Sequence, residues 1–474
     1  MPLPHPTLVI GLGGTGQWVA CHVLKELMDL YGLNDPNELN TSPKIGGRVR
    51  ILAFDTDGKN VAAVGHGQGA RVGQIKLPNS MILPVGAAIH TYAKDIAAGN
   101  RPWISSWFDA KWFLAQANAN ALLNLAQGAG QFRPLGRVAV PYNLTEAGGG
   151  ISNVLTTAIQ GIQGTFRGEE NSIVVCIVGS LCGGTGAGMV ADLAHLAQMI
   201  AGNTSLHTRA YLVLPNAFEG TVPPSPDGGV EIRRRAFAAM RELRRFAREV
   251  NYEIGYPMVY ARPGTDDRIL RGRSRKALFD QVYYFDAALR RDDGASAGVH
   301  QGMAPLIAEA ILLCIDGQTS TALLSHTANL TAAKLAKVQA RTLDAQAAVA
   351  GGIGVFSVQL PMDNFIEEWT HTLARKALRL FLGTPDYYDE DATTKTVVRL
   401  RENWAGGQEG MSGREAARVD WEGKSVGGNV VGEFAKDVLK TGRAGREGLA
   451  TGDRRRDDLR HRGLAEWQIV LASG

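Results

Sequence analysis

Cys182-Gly183-Gly184-Thr185-Gly186-Ala187-Gly188 is a glycine loop between two apolar segments. The continuous apolar run at 173–178 is typical of a strand that is buried on both faces of a sheet. The segment 189–200 carries apolar residues at helical spacing. Backbone N–H groups between a strand and a helix N-terminus bind phosphate oxygens, so the pattern predicts an anion-binding loop. No Lys-Ser/Thr pair follows, which excludes a loop of the Walker type.

A second glycine loop, Gly11-Leu12-Gly13-Gly14-Thr15-Gly16, lies near the start of the chain. It also separates a β-prone run (7–10) from a helical pattern (19–31). The loop matches G-x-G-x-x-G, which dinucleotide-binding enzymes use with an acid about 20 residues further on. Here the first acid that ends a strand is Asp55, a longer separation. An NAD(P)-dependent oxidoreductase is therefore one interpretation, while two such loops favour a di- or triphosphate.

The composition is that of a folded protein that does not require a polyanionic partner. Of the 474 residues, 45% are apolar and 20% are charged, and the formal net charge is +4. Glycine is enriched, with 57 residues or about 12% against a usual ~7%. The arginine runs at 233–235 and 271–275 have acids around them and no interleaved aromatic residues. They are interpreted as solvated surface, and nucleic acid is not expected as a partner.

Cysteine, histidine and aromatic residues form no recognisable metal or catalytic pattern. The cysteines lie in apolar or glycine-rich runs: Cys21, Cys176, Cys182 and Cys314. They predict reduced thiols and no metal site, and the absence of a long apolar stretch or signal peptide predicts a cytoplasmic protein without a membrane span. His195 and His207 are expected at the surface. The aromatic residues at 103, 107, 108 and 112 share one helical face and predict a helix packed on a sheet.

Together the two loops resemble those of the tubulin/FtsZ superfamily, and most closely its bacterial tubulin-like branch. The signature of that family is G-G-G-T-G-[ST]-G, which residues 182–188 match except for Cys at the first position and Ala at the sixth. Phe54-Asp55-Thr56-Asp57 is similar to the family's N-T-D after an early strand. Residues 280–286 stand where the strand before the central helix is expected, and 303–315 where that helix is expected. The resemblance covers roughly residues 7–380.

The resemblance implies an α/β fold with a three-layer, parallel-sheet nucleotide-binding domain, a central core helix and a smaller second α/β domain. The GTP-binding domain would span residues 1–296, and the central helix with its following loop 297–320. The second domain would span 321–382. Residues 383–474 are rich in Gly, Arg and Glu with few apolar residues, and are expected to pack weakly.

The resemblance also implies the ligand and the residues that hold it. The ligand would be GTP or GDP, with Mg²⁺ as a candidate companion ion. The first loop would contact the α- and β-phosphates, the second loop the β- and γ-phosphates, the segment after the second strand the γ-phosphate, and one acid and one arginine the ribose. The residues assigned in this way are Gly11, Gly13, Gly14, Thr15, Gly16, Gln17, Thr56, Asp57, Gly58, Gly183, Gly184, Thr185, Gly186, Ala187, Glu219, Arg235 and Asp286.

Two departures from the family pattern affect the implied activity. Asp286 stands near the position where the family places an asparagine against guanine. The family's hydrolytic acid lies after the central helix in an N-x-D pattern and acts on the nucleotide of the next subunit; here Asp316 is the acid in that region. The implied protein is a self-assembling, head-to-tail homo-oligomer whose GTP hydrolysis is stimulated by assembly. A non-hydrolysing nucleotide-binding scaffold of the same fold is the alternative that the missing N-x-D leaves open.

Overall fold

The computed structural model describes a large part of the first 320 residues and little beyond them. The described residues are 3–57, 70–125, 129, 132–168, 170–218, 228–251, 256–261, 271–274, 277–287, 289, 298–317, 319–320, 325, 329, 350–351, 354–355, 371–372 and 469–470. The chain divides into two compact units, Met1–Val355 with Ile469–Gly474, and Phe356–Gln468. The sheet and the helices belong to the first unit. Gly58, Glu219 and nearly all of 321–382 and 383–474 lie outside the described residues, and the domain boundaries stay predictions.

A parallel sheet forms the centre of the first unit. The described strands are β1 (Thr7–Leu12), β2 (Val49–Asp55), β3 (Arg71–Val72), β4 (Ile75–Lys76), β5 (Ile82–Pro84), β6 (Ser172–Ser180), β7 (Ser205–Val213), β8 (Tyr256–Val259), β9 (Arg271–Ser274), β10 (Gln281–Phe285), β11 (Ala350–Gly351), β12 (Gly354–Val355) and β13 (Ile469–Val470). Seven of them pair in the order β11-β10-β7-β6-β1-β2-β5, and all of these pairs are parallel. The others form antiparallel pairs: β3 with β4, β8 with β9, and β12 with β13.

Helices connect the strands of the sheet. The described α-helices are α1 (Gly13–Tyr31), α2 (His90–Ala97), α3 (Pro102–Ser105), α4 (Ala110–Ala115), α5 (Ala119–Leu122), α6 (Arg133–Thr145), α7 (Gly150–Gln163), α8 (Gly184–Ala201), α9 (Gly228–Asn251) and α10 (Ala304–Ile315). A π-helical turn, Val299–Met303, leads directly into α10. Short 3-10 turns occur at Pro36–Asn40, Asn79–Met81 and Pro215–Phe218.

The central strands form because their sequences are apolar on both sides. In β6 every residue after Ser172 is buried, and all six residues of β1 are buried. Each of these strands lies between two parallel neighbours, with Val9 of β1 opposite both Ile51 and Cys176. Fully buried aliphatic side chains stabilise a fold by about 1.5–3 kcal/mol each relative to exposure. The predicted strands at 7–10 and 173–178 are confirmed, and the strand expected within 280–286 is β10.

One face of the sheet packs against helices α7, α8 and α9. Alternate strand residues point to this face, including Ile10, Phe54 and Ile177, and they form a continuous apolar core with the three helices. The amphipathic helix α9 contributes Ile232, Leu243 and other residues at helical spacing. The predicted helix at 189–200 is confirmed, and this layer covers the sheet from one side.

The other face packs against α1 and α10, which contact each other as well. The central helix α10 is apolar, as its sequence predicts, and most of its residues are buried. α10 also meets the sheet at Arg209 of β7, which is 2% exposed. A guanidinium Nη1 of Arg209 donates a hydrogen bond to Cys314 Sγ over 2.7 Å. The two helix layers and the sheet give the predicted three-layer α/β arrangement with a central helix.

The aromatic segment before α6 differs from its prediction. The residues at 103, 107, 108 and 112 do not share one helix, because α3 ends at Ser105 and α4 begins at Ala110. Asp109 caps α4 with its side chain, which accepts from the backbone N–H of Trp112. Trp103, Trp107 and Phe108 belong to a separate apolar cluster with α2 and α6, and not with the sheet, whereas Trp112 is 47% exposed.

The burial of the two histidines differs from the surface positions that the sequence predicts. His195 is 0% exposed, so its predicted surface position is wrong, and burial lowers its pKa to about 4. His207 is half-buried in β7. Among the described residues, no helix has the length and the apolar character that crossing a membrane requires.

Candidate functional site

The first glycine loop is a sharp passage from strand β1 into helix α1. Gly13 begins α1 with a φ of +66°, a conformation that favours glycine. A β-carbon on Gly11 would collide with the carbonyl oxygen of Gly16, and one on Gly16 would lie 2.7 Å from the α-carbon of Gly11. These two glycines therefore allow the strand and the helix to pack closely. Gly14 is exposed, and a β-carbon there would meet nothing within 4 Å.

The second glycine loop is built in the same way between β6 and α8. A β-carbon on Gly184 would lie 2.7 Å from the β-carbon of Ala129. One on Gly186 would lie 2.7 Å from the backbone of β6, and one on Gly188 would lie 2.5 Å from the backbone of α6. Three glycines of this loop thus serve packing, which the sequence does not reveal. Gly183 is the open one, with nothing within 4 Å of a β-carbon.

The two glycine loops lie side by side at the carboxyl edge of the sheet. A β-carbon on Gly13 would be 3.3 Å from the β-carbon of Thr185 and 3.7 Å from the backbone nitrogen of Gly186. Neither α1 nor α8 has a side chain that caps its N-terminus. The free N–H groups of two helix starts, with their partial positive charge, are therefore brought together at one place.

A chain of hydrogen bonds joins the second loop to the end of β2. The hydroxyl of Thr56 accepts from the backbone N–H of Ala129 over 3.0 Å. It lies 2.6 Å from the hydroxyl of Thr185 and donates its own proton there, because the single hydroxyl proton of Thr185 is donated to Asp55. Thr185 in turn donates to Asp55 Oδ1 over 3.3 Å. The Thr185 hydroxyl is therefore engaged within the protein, and its loop offers mainly backbone donors.

Asp55 is the buried end of this series of hydrogen bonds. Its Oδ2 accepts from the side-chain amide of Gln17 over 2.6 Å, and its Oδ1 accepts from the backbone N–H of Asp57 over 3.1 Å. The residue is 3% exposed. Burial raises the pKa of Asp55 to about 6, against the opposing effect of the Asp57 backbone hydrogen bond. The structure thus places Gln17, Thr56 and Asp57 around Asp55 and Thr185, and their contacts with a nucleotide stay predictions.

The residues expected at the base and ribose lie at the same edge, where they can be described. Asp286 follows β10 and accepts two hydrogen bonds from Asn216, one from its backbone N–H over 2.9 Å and one from its side chain over 3.1 Å. Arg235 lies on α9, 3.8 Å from Glu231. Burial raises the pKa of Cys182 to about 11; Asp286 raises it further and Arg235 opposes this effect. Both charges therefore act on the start of the second loop.

Asp316 lies at the opposite edge of the sheet. It ends α10, and its carboxylate accepts from both the backbone N–H and the hydroxyl of Thr319, each over 2.9 Å. The backbone N–H of His5, just before β1, donates to the carbonyl of Ile315 over 2.8 Å. Asp316 also acts electrostatically on Tyr31, the last residue of α1. The structure therefore does not bring Asp316 together with the glycine loops.

Sequence reasoning missed several residues that shape this site. The sequence analysis did not assign Asp55 to the nucleotide site, although an acid at the end of a buried strand is a recognisable signal of such a site. Asn216, which follows β7, was missed because its importance comes from a partner 70 residues away. Arg137 on α6 also gave no signal; it lies 3.3 Å from the buried Asp192 of α8, and so fixes α6 against the second loop's helix.

No metal centre is apparent among the residues that the structure describes. They contain no group of three or more His, Cys, Asp or Glu side chains arranged to hold an ion. The four cysteines are free thiols and are all buried. The donors of the described site are backbone N–H groups, which suits an anion.

Fold and site together define a class of protein: a three-layer α/β protein whose two glycine loops meet at the carboxyl edge of a parallel sheet. A family model described as "Tubulin like" matches residues 8–379, which is most of the chain. The chain belongs to this tubulin-like family, within the tubulin/FtsZ superfamily.

Other comparisons add little to the family match. CetZ from Methanosaeta thermophila strain DSM 6194 is similar in structure, with 12% identity and a TM-score of 0.36. The alignment covers 75% of this chain and 64% of that protein, so it spans less than two thirds of the latter's length. A search of curated proteins found no match.

Proposed function

We propose that the chain binds a guanine nucleotide at the carboxyl edge of its sheet and assembles head to tail, with hydrolysis at the contact between subunits. The observation that carries the proposal is the juxtaposition of Gly13 with Thr185 and Gly186. Two uncapped helix N-termini aimed at one place suit a chain of phosphoryl groups, which carries several charges along its length. GTP or GDP is the proposed ligand, with Mg²⁺ as its companion ion.

The roles of the other residues follow from where they lie. Gly14 and Gly183 would let phosphate oxygens approach the backbone, because nothing else fills the space beside them. Asp286, held by Asn216, would accept from the N1 and N2 groups of guanine. Arg235 would lie near the ribose. Adenine presents a different pattern of donors and acceptors, so Asp286 favours guanine.

The position of Asp316 supports assembly in a polar manner. Strand β1 has six residues, so about 20 Å separates the two edges of the sheet. Asp316 therefore cannot reach the phosphates bound to its own chain. A head-to-tail contact would bring the Asp316 edge of one subunit to the glycine loops of the next, where a carboxylate could act as a general base on water. We place this assembly in the bacterial cytoplasm.

A second candidate is a scaffold that binds nucleotide without hydrolysing it. The specific observation in its favour is that both a backbone N–H and a hydroxyl of Thr319 already donate to Asp316. The carboxylate oxygen that accepts both hydrogen bonds is occupied within its own chain, which leaves less of the carboxylate free to orient a water molecule. In this case the nucleotide would stabilise a subunit contact and would not be consumed.

The test begins with the nucleotide that the purified protein retains and with titrations of GTP, ATP and NAD⁺. The proposal predicts retained GDP or GTP and a clear preference for GTP. Retained NAD⁺, or equal affinity for ATP, would contradict it. Turnover measured over a range of protein concentrations separates the two candidates: hydrolysis at subunit contacts rises faster than linearly with concentration, and a scaffold shows none.

A further inference from the structure

Asp55 connects three separate segments of the proposed phosphate site. Its carboxylate holds Gln17 of helix α1, Thr185 of the second glycine loop and the backbone of Asp57. Through Thr185 it reaches the place where the two loops meet, because that residue lies beside Gly13. A single side chain therefore sets the relative position of both loops.

A carboxylate is an unusual choice for this place, because the proposed ligand is itself an anion. Asp55 is 3% exposed, so water screens its charge poorly. The side chains that contact it carry no positive charge: α1 presents an amide, α8 presents a hydroxyl, and the titratable group that acts on it in the described part of the chain is another acid, Asp57. An ionised Asp55 would repel an incoming phosphate, whereas a protonated one would not.

We propose that Asp55 is the positioning residue of the phosphate site, and that nucleotide binding is coupled to the uptake of a proton by its carboxyl group. This inference rests on the proposed function and extends it. The protonated carboxyl keeps its hydrogen bonds from Thr185 and Gln17 through lone pairs that remain available. Its added proton removes the repulsion between Asp55 and the phosphates.

The direction of the pH dependence follows from the charges. A bound phosphate raises the pKa of Asp55 above the value of about 6 that it has in the free protein. The bound protein then holds more protons than the free protein between these two values. Affinity therefore rises as pH falls from about 8 toward about 6, by at most tenfold per pH unit for one proton.

The experiment compares wild type with Asp55→Asn in GTP titrations from pH 6 to pH 8. Asparagine has the same shape and does not titrate. Its Oδ1 can accept from Thr185 and Asp57, and its amide nitrogen can donate to the side-chain oxygen of Gln17 once the Gln17 amide has turned over. The terminal phosphate of the nucleotide also titrates, and this effect is common to both proteins. We expect the wild-type affinity to increase at least fivefold more than that of Asp55→Asn as pH falls over this range. At pH 8, Asp55→Asn should bind GTP more tightly than wild type.

A second measurement tests the proton directly. Calorimetric titration at pH 7 in buffers of different ionisation enthalpy should show more proton uptake per GTP for wild type than for Asp55→Asn. Equal uptake and equal pH profiles for the two proteins would overturn the inference while leaving nucleotide binding intact. Absence of GTP binding by wild type at every pH would instead overturn the proposed function. Asp55→Ala, which removes the hydrogen bonds as well, should weaken binding at every pH.

Discussion

Gly14 and Gly183 differ from the other glycines of their loops in what surrounds them. Gly11, Gly16, Gly184, Gly186 and Gly188 have backbone or side-chain atoms where a β-carbon would be placed. Gly14 and Gly183 have open space there, and the backbone of Gly183 is extended. A side chain at these two positions is therefore compatible with the fold and occupies only the space proposed for phosphate.

This difference gives a prediction for the pair Gly14→Ala and Gly183→Ala. Each variant should bind GTP at least tenfold more weakly, because the new methyl group excludes a phosphate oxygen from the backbone. The melting temperature should change little. Gly164→Ala, at the end of α7, adds a methyl group at ordinary contact distance and is the matched control. Wild-type affinity in both loop variants would place the phosphates elsewhere.

Asp55 gives a second prediction at the scale of one residue, on stability without nucleotide. Burial raises its pKa in the folded protein to about 6 from 3.8, so the folded state binds more protons than the unfolded state between these values. The free energy of unfolding therefore falls as pH rises from about 4 to about 6. The difference between these two pKa values corresponds to a loss of unfolding free energy on the order of 3 kcal/mol.

Denaturant unfolding at a series of pH values checks this prediction. The comparison is with Asp55→Asn, in which the other titrating groups are retained and cancel in the difference. Relative to that variant, wild type should be most stable near pH 4 and should lose stability up to pH 6. A difference that is constant with pH would mean that Asp55 has an ordinary pKa in the folded protein.

The sequence predicts where the two loops lie, but it does not predict which of their glycines face the ligand. A strand, a glycine run and an amphipathic helix follow one another in the chain, so local pattern suffices to predict both loops. Whether Gly184 or Gly183 faces the ligand depends on Ala129, which is far away in the sequence. Asp55 could be predicted to lie at the carboxyl edge, but its bonds to Gln17 and Thr185 depend on the packing of three elements.

At the scale of elements, α10 is joined to the sheet by an unusual buried pair. Arg209 of β7 donates to Cys314 of α10, and Cys176 of β6 is a hydrogen-bonding neighbour of that thiol. The hydrogen bond from Cys176 and the charge of Arg209 hold the pKa of Cys314 below its usual value, against the effect of burial. A guanidinium does not lose its proton, so a Cys314 thiolate is the counter-ion that the described surroundings offer.

Cys314→Ser tests this interpretation, because a hydroxyl does not ionise near neutral pH. It should lower the free energy of unfolding by about 3–5 kcal/mol, since a buried charge is left without its partner. Cys21→Ser is the control: that thiol is equally buried, but burial raises its pKa to about 11 and its partner is a carbonyl. We expect a loss of about 1 kcal/mol there. Equal losses measured by denaturant unfolding would mean that Cys314 is a neutral thiol.

A helix cap explains why the sequence prediction for the aromatic segment was wrong. The aromatic run was assigned to one helix because positions 103, 107, 108 and 112 share a helical face. Asp109 interrupts that helix because its side chain caps the N-terminus of α4. The spacing of apolar residues does not reveal such a cap. The buried strands β1 and β6 were predicted because continuous apolar runs leave few alternatives.

At the scale of the whole molecule, the two ends of the sheet carry different parts of the proposed reaction. The glycine loops lie at the carboxyl edge, and Asp316 lies at the other edge beside His5 and Ile315. Neither part is complete within one chain. The activity is therefore expected to be a property of the contact between two chains, and of its polarity.

Mixing two inactive variants tests this arrangement. Asp316→Ala keeps the phosphate site and lacks the acid, whereas the double variant Gly14→Ala/Gly183→Ala keeps the acid and does not hold the nucleotide. Each alone should hydrolyse GTP at least tenfold more slowly than wild type. In an equimolar mixture, the Asp316 of the double variant meets the nucleotide bound to the Asp316→Ala subunit, so turnover should recover to a substantial fraction of the wild-type rate.

The control for this mixture is a triple variant that carries all three substitutions. It can join the assembly but supplies neither an acid nor a nucleotide, so mixing it with Asp316→Ala should recover nothing. Recovery in the mixture with the double variant, but not in the mixture with the triple variant, would assign the acid to the neighbouring chain. Within one chain about 20 Å separates the two edges of the sheet. A mixture that turns over GTP at the average of its separate components would instead mean that Asp316 takes no part in hydrolysis across the contact.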